Sequence, residues 1–302
     1  GLNIVVGQCG LLHLGISSFF AIGVYCYAIL TASLYPFQIG FWPALVVSVG
    51  VSAGAGVLLA LPTLRLRGDY LAIVTMGFGE IMKDILKNLE PITKGTQGIN
   101  PLPGPVIAGY AFGVSEMMPW YYLFLGLVVA LVILNRNLEN SRLGRMLVAV
   151  REDELAASCM GINPVRVKLT AFALGAAIAG LAGVMWASFL TTSGDPGRYD
   201  FNLSITVLCI IIIGGLGNIY GVLLGSVVLM GFDTVVMNKI AEELQRRGVE
   251  GGSVFLSTAN WKWLIFGLAL VLMMRFRPEG ILPSTRIKAE IKPEEAPVPE
   301  GA

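Results

Sequence analysis

Residues 203–237 read LSITVLCIIIIGGLGNIYGVLLGSVVLMGFDTVVM, 35 residues in which Asp233 is the one charged side chain. A membrane helix needs about 20 apolar residues to cross about 30 Å of hydrocarbon, so two full crossings and a turn do not fit this length. The cluster Gly214-Gly215-Leu216-Gly217-Asn218 near the middle predicts a break. Two half-helices meeting there as a re-entrant pair satisfy the rule that bare backbone lies at membrane depth only where protein or a cavity covers it. A single kinked crossing is the alternative.

The chain around this stretch has the same character. Its 302 residues are 55% hydrophobic and 14% charged, with a mean hydropathy of +0.73, against about 25% charged in soluble domains. This excludes a cytosolic globular enzyme and a disordered chain, and a net charge of +1 offers no footprint for nucleic acid. Cys9, Cys26, Cys159 and Cys209 stand alone and His13 is the only histidine, so no zinc motif or disulfide frame is indicated. The chain has no Gly-Lys-Ser/Thr, hence no P-loop for nucleotide. The reading is an all-α, polytopic helical membrane protein with broken or re-entrant helices, without cofactor, metal or catalytic residues, and with membrane lipid as its solvent.

Further spans are expected at Phe41–Leu61, Tyr70–Asn88, Trp120–Leu134, Val165–Leu190 and Trp261–Met274, with a glycine-punctuated apolar stretch at Gly1–Leu34. The Trp120-Tyr121-Tyr122 start suggests an interfacial belt. The segments holding Arg65 and Arg67, residues 136–168, and the stretch from Arg275 to Lys292 carry 13 of the 21 Lys and Arg residues, which makes them cytoplasmic by the positive-inside rule. Residues 1–286 therefore form one transmembrane domain with an outer loop at 89–119 and an inner loop at 136–168. Residues 287–302, rich in Lys, Glu and Pro, form a solvated cytoplasmic tail. The first residue is not Met, and the chain is expected to start inside a longer protein.

Two patterns point to transport. Gly7-Gln8-Cys9-Gly10 precedes Arg65-Leu66-Arg67 much as Gly214-Gly215-Leu216-Gly217 precedes Arg275-Phe276-Arg277. Duplicated units with matching broken segments mark substrate paths, so Gly7, Gly10, His13 and Gly15, with Gly214, Gly215, Gly217 and Gly221, are candidates to line one. His13 is read either as lining that path or as a hydrogen-bonding partner between helices. Ala171, Gly175, Ala179, Gly183 and Ala187 form a small-residue stripe that lets helices approach closely. The intramembrane acids Glu80 and Asp84 fall at helical spacing from Lys83 and Lys87, so they pair locally and nothing demands a proton relay.

The second pattern lies in the inner loop. Arg151-Glu152-Asp153-Glu154 starts a short helix, Gly161 stops it, and Asn163-Pro164 caps the next one. A charged surface helix with its own start and stop suits docking of a cytoplasmic partner.

Several stretches resemble the permeases of branched-chain amino acid ABC importers, of the LivM type, nearly end to end. They are Gly1-Leu2-Asn3-Ile4-Val5-Val6-Gly7, Leu64-Arg65-Leu66-Arg67-Gly68-Asp69 through Gly77-Phe78-Gly79-Glu80, Gly214-Gly215-Leu216-Gly217, and Arg277-Pro278-Glu279-Gly280-Ile281-Leu282-Pro283. The resemblance implies the ABC importer permease fold and places Arg151, Glu152, Asp153, Glu154, Ala156, Ala157 and Gly161 in the loop that couples to the ATPase. It also implies a LivH-like second permease, two ABC ATPase subunits, a periplasmic substrate-binding protein, and a place in the bacterial inner membrane. The expected function is to form the path for leucine, isoleucine and valine without an ATPase site of its own. The alternatives are a permease for urea or other small amides and acids, and an ion-coupled secondary transporter.

Overall fold

The computed structural model describes residues 1–63, 66, 69–107, 110–113, 116–237, 239, 267–273, 275–276 and 280–282. The tail at 287–302, Arg65, Arg67 and Arg277 lie outside the described residues, and the last expected span is described only at 267–273. The chain divides into two compact units, Gly1–Ile205 and Thr206–Ala302.

The first unit opens with a π-helical turn, Asn3–Gln8, followed by extended chain to Gly15 and then α1 (Ile16–Thr31). The elements α2 (Phe41–Thr63) and α3 (Asp69–Asn88) come next, then a short α4 (Glu90–Thr93). The segment after α4 carries a two-residue antiparallel ladder, β1 (Val106–Ile107) with β2 (Tyr110–Ala111). It leads into α5 (Met117–Asn140), α6 (Arg142–Glu152), α7 (Glu154–Cys159) and α8 (Pro164–Leu190). Four helices thus sit where hydrophobic runs predict spans, and of these α2, α5 and α8 are long and apolar enough to cross a membrane.

The core of this unit is α8 against α1 and α2. Its small-residue stripe does what such stripes do in lipid, where close backbone packing replaces the hydrophobic drive. A Cβ on Gly183 would fall 2.3 Å from the Phe20 carbonyl of α1, and on Gly180, beside the stripe, one would fall 2.3 Å from Ser52 Oγ of α2; one on Gly23 of α1 would fall 2.4 Å from the Gly180 carbonyl. At one end the seam widens into an aromatic cluster containing Tyr25, Tyr27, Phe41, Trp120 and Tyr199, all buried. The segment between α4 and α5 is stitched onto the one after α8 by backbone and hydroxyl bonds: Ile99 N–H donates to Ser193 Oγ (2.8 Å) and Leu102 N–H to the Thr191 carbonyl (3.0 Å).

Two expectations change. The helix α5 starts at Met117 and runs to Asn140, longer than Trp120–Leu134, because Arg136 and the residues after it continue the helix beyond the apolar stretch. Trp120 is the one buried residue of α5, donating to the Gly113 carbonyl (3.3 Å) and packing edge-on against Phe112 and Phe189. Tyr121 and Tyr122 alone have the exposure of an interfacial belt. The rest of the α5 face is exposed Leu, Val and Ile, the surface of a lipid-facing helix.

The helix α9 (Phe201–Gly214) begins in the first unit, where Phe201 N–H donates to Glu80 Oε1 (3.3 Å) and Leu203 N–H to Asp200 Oδ1 (3.2 Å). Acids at a helix N-terminus satisfy its open N–H groups and its dipole. Glu80 also pairs with Lys83, which makes it the structural acid its spacing predicts.

The second unit contains the rest of α9, a turn at residues 215–218, α10 (Ile219–Gly231) and a π-helical turn, Phe232–Met237. The break stands where the glycine cluster predicts it. The first arm reaches back beyond residue 203, because α9 starts at Phe201 and a 3-10 turn at Pro196–Arg198 precedes it, while the π turn completes the second arm within the stretch. The apolar stretches Pro196–Gly214 and Ile219–Val236 reach 19 and 18 residues.

Candidate functional site

The structure brings Gly7, Gly10, His13 and Gly15 together in the first unit and Gly214, Gly215, Gly217 and Gly221 together in the second. Each group is a break with its own chemistry.

In the first break the π turn ends at Gln8 and leaves carbonyls without helical partners. The Gly7 carbonyl accepts from Arg151 Nη1 at 2.8 Å, and Gln8 Nε2 donates to Glu139 Oε1 at 3.3 Å. Gly10 has φ +70°, and a Cβ there would lie 2.7 Å from Arg151 Cγ, so the arginine stem occupies the space a side chain would fill. Gly15 caps the start of α1 so near α3 that a Cβ would fall 2.2 Å from the Thr75 carbonyl. Leu14 N–H donates to Thr75 Oγ1 at 3.0 Å. His13, 1% exposed, stacks on Phe19 (5.4 Å between centroids) and meets the edge of Phe172 (5.3 Å). Neither of its ring nitrogens has a hydrogen-bond partner. The expectation of an interhelical hydrogen bond is therefore corrected: His13 is held by its ring faces, because its neighbours are aromatic.

In the second break Gly215 (φ +122°) and Gly217 (φ +74°) turn the chain, and Asn218 Oδ1 caps α10 by accepting from Tyr220 N–H (3.0 Å) and Gly221 N–H (3.3 Å). The two arms then run back to back: a Cβ on Gly221 would lie 2.4 Å from the Gly214 carbonyl, and one on Gly225 would lie 2.6 Å from the Ile210 carbonyl. The last carbonyls of α9 are taken by a returning segment. Ile281 N–H donates to the Ile213 carbonyl (2.9 Å) and Leu282 N–H to the Gly214 carbonyl (3.1 Å). Asn218 Nδ2 in turn donates to the Leu282 carbonyl at 3.0 Å. The sequence marks Gly280-Ile281-Leu282 as a motif, but nothing in it says that the motif closes this turn.

The segment between α5 and α8 is more divided than one helix over Arg151–Gly161. Arg151 and Glu152 form the last turn of α6, Asp153 is extended (φ −152°, ψ 110°), and α7 contains only six residues. The reason is Asp153 itself, whose Oδ1 accepts from Leu155 N–H (2.8 Å) and Ala156 N–H (3.0 Å), starting a new helix where the old one ends. Gly161 stops α7 at φ +83°. Asn163 Oδ1 accepts from Arg166 N–H (3.2 Å) with Pro164 in the first turn of α8, as the motif predicts.

Residues of α7 divide by face. Ala157 is buried in a cluster with Ile4, Cys9, Leu147, Val150, Val167 and Ala171. Glu154 Oε2 accepts from Lys168 Nζ at 2.8 Å, tying α7 to α8. Glu152, Asp153 and Ala156 are exposed, and so are Leu155 (76%) and Met160 (83%). Sequence reasoning passed over that apolar pair, whose signal is two large hydrophobics in a charged surface loop.

The fold and these breaks define a class: a polytopic helical membrane protein built around glycine-broken segments, with a short helix presented between two longer ones. A family model described as branched-chain amino acid transport system, permease component, matches residues 1–274, and the chain belongs to that family. It is 39% identical to the high-affinity branched-chain amino acid transport system permease protein LivM of Salmonella typhimurium, covering 98% of this chain and 69% of that protein. Identity to the Escherichia coli K12 LivM is 38%, over 97% and 68% of the two chains. The E. coli K12 LivH permease is 27% identical, over 93% of this chain and 89% of that one. No solved structure matches the chain significantly.

Proposed function

We propose that this chain is one permease subunit of an ABC importer that carries leucine, isoleucine and valine across a bacterial inner membrane. Residues 1–286 form the permease domain, with 136–168 on the cytoplasmic side, 89–119 outside, and 287–302 as a cytoplasmic tail. A LivH-like permease completes the path, two ATPase subunits supply the energy, and a periplasmic binding protein delivers the substrate. The path is lined near Gly7, Gly10, His13 and Gly15 and near Gly214, Gly215, Gly217 and Gly221, where the glycine breaks turn backbone groups toward a zwitterionic solute. Arg151, Glu152, Asp153, Glu154, Ala156, Ala157 and Gly161 couple it to the ATPases.

The observation that carries this reading is α7. It is capped at both ends, anchored inward by Ala157 and by Glu154 to Lys168, and open outward at Leu155 and Met160. An apolar pair on a rigid, charged knob fits a groove on a partner, because buried apolar anchors with a polar rim dominate interface energetics.

The test is reconstitution in liposomes of this chain with its second permease, ATPases and binding protein. ATP-dependent accumulation of radiolabelled leucine is expected, along with loss of ATPase binding when Leu155 and Met160 are both changed to Asp. Accumulation driven by a proton or sodium gradient without ATP would instead make the chain a secondary carrier. ATP-dependent uptake of urea with no uptake of leucine would reassign the substrate.

A further inference from the structure

Arg151 stands at the end of α6, one residue before the chain turns into α7, yet its guanidinium faces away from the exposed knob. It donates through Nη1 to the Gly7 carbonyl at 2.8 Å, and its stem lies against Gly10. The Gly7 carbonyl is one that the π turn leaves open, so its partner is supplied from a different element. A second polar contact comes from the same corner, Gln8 Nε2 to Glu139 Oε1 near the end of α5. Beneath both, Ile4 and Cys9 of the first segment pack with Leu147 and Val150 of α6 and Ala157 of α7. The end of the first broken segment is thus gripped by the elements that present α7.

We infer that Arg151 is a positioning residue that transmits movement of α6 and α7 to the break at Gly7–Gly10, so that docking at α7 and opening of the first segment are one motion. The inference rests on the transport reading above. Its physical content is directional. A charge-assisted hydrogen bond is short and roughly twice as strong as a neutral one, and here it joins a rigid helix end to the terminus of an interrupted segment. The apolar contacts below it resist compression, since packed interiors transmit displacement. Gly10 is part of the device because any side chain there would displace the arginine stem.

The experiment uses the reconstituted importer with Arg151→Gln, Arg151→Lys and Gly10→Ala. Three quantities are read: co-purification of the ATPase subunits, ATP hydrolysis stimulated by the loaded binding protein, and leucine transported per ATP hydrolysed. In R151Q leucine transported per ATP hydrolysed is expected to fall about tenfold, the scale of losing a strong polar contact, whatever change in hydrolysis accompanies it. R151K keeps a charged donor and is expected to recover a substantial part of the ratio, a rescue that a merely structural role would not produce. Should R151Q fail to assemble, G10A carries the same test from the other side of the contact and is expected to lower the same ratio. An unchanged ratio, or a fall in hydrolysis and transport in equal proportion, overturns the inference. Loss of all ATP dependence in the unmodified complex overturns the transport reading instead, so the two failures are distinct.

Discussion

Glu154→Gln and Lys168→Met remove opposite halves of one ion pair, and the structure predicts that they cost different amounts. The two groups meet at 2.8 Å, but Lys168 is 8% exposed and Glu154 is 36% exposed. At that separation, an effective dielectric constant of about 20 gives an attraction of about 6 kcal/mol, most of it offset by desolvation. What each variant costs therefore depends on the charge left behind. Removing one partner of a buried pair costs about 3–5 kcal/mol, and an exposed pair is worth about 0.2–1 kcal/mol. E154Q leaves a buried ammonium with only an amide oxygen to meet it, and about 2 kcal/mol is expected. K168M leaves a carboxylate that water reaches and keeps the apolar stem of the lysine, so about 0.5–1 kcal/mol is expected. The double variant E154Q/K168M should cost less than the sum, because no unpaired charge survives. The assay is the unfolding midpoint of each variant in mixed detergent micelles, closed as a double-mutant cycle. If K168M costs as much as E154Q, burial does not govern this pair and the anchoring of α7 to α8 has been misread. The cycle also bears on function: charge reversal at Glu154 would unsettle α7 as well as any docking, whereas E154Q/K168M removes the charge and leaves the packing.

Three further outcomes follow from single contacts. Gly23→Ala should destabilise by about 1–3 kcal/mol or more, since its Cβ would meet the Gly180 backbone, whereas Gly54→Ala, with nothing within 4 Å, should be neutral or stabilise α2 by about 0.5–1 kcal/mol; thermal midpoints in detergent compare them. Asp153→Ala should cost about 1 kcal/mol of cap, read as amide exchange at Leu155 and Ala156 that is faster by about fivefold. His13→Phe should leave the unfolding midpoint unchanged or raised, because replacing an unpartnered polar ring by an apolar one of similar shape removes a desolvation penalty; a loss above about 1 kcal/mol would mean that its nitrogens are bonded.

How far the sequence discloses this molecule depends on the range of the interaction that fixes each feature. Spans were legible because about 20 apolar residues in a row have one cheap solution, and the breaks because glycine clusters interrupt them. The cap at Asn163-Pro164 was legible because a cap is made by residues two or three apart, whereas the division at Asp153 was not, since acids in a row at 152–154 read as a single helix start. The boundaries of α5 were not, since charged residues beyond the apolar run continue the helix on geometry alone. The seating of the segment between α4 and α5 on residues 191–199 was hidden because backbone amides and hydroxyls make it. The surroundings of His13 were hidden because Phe172 is far away in sequence. Arg151 was legible as part of the inner segment but not in its direction: successive residues on a helix differ by about 100°, so a boundary error of one residue turns a side chain from a partner's face to the protein's own.

The two breaks differ in how their open carbonyls are satisfied, and that difference bears on which of them moves. At the second, the carbonyls of Ile213 and Gly214 accept from the backbone amides of Ile281 and Leu282, and Asn218 adds a bond back to the Leu282 carbonyl. Three bonds between backbone and a capping side chain act together there, so opening the turn requires several of them to be lost at once. At the first, the Gly7 carbonyl depends on a side chain carried by α6. When that helix shifts, the carbonyl loses its partner without any local bond having been strained, and it must find another donor. The first break therefore depends on a donor from another element, whereas the second is closed by backbone bonds and a cap within its own unit.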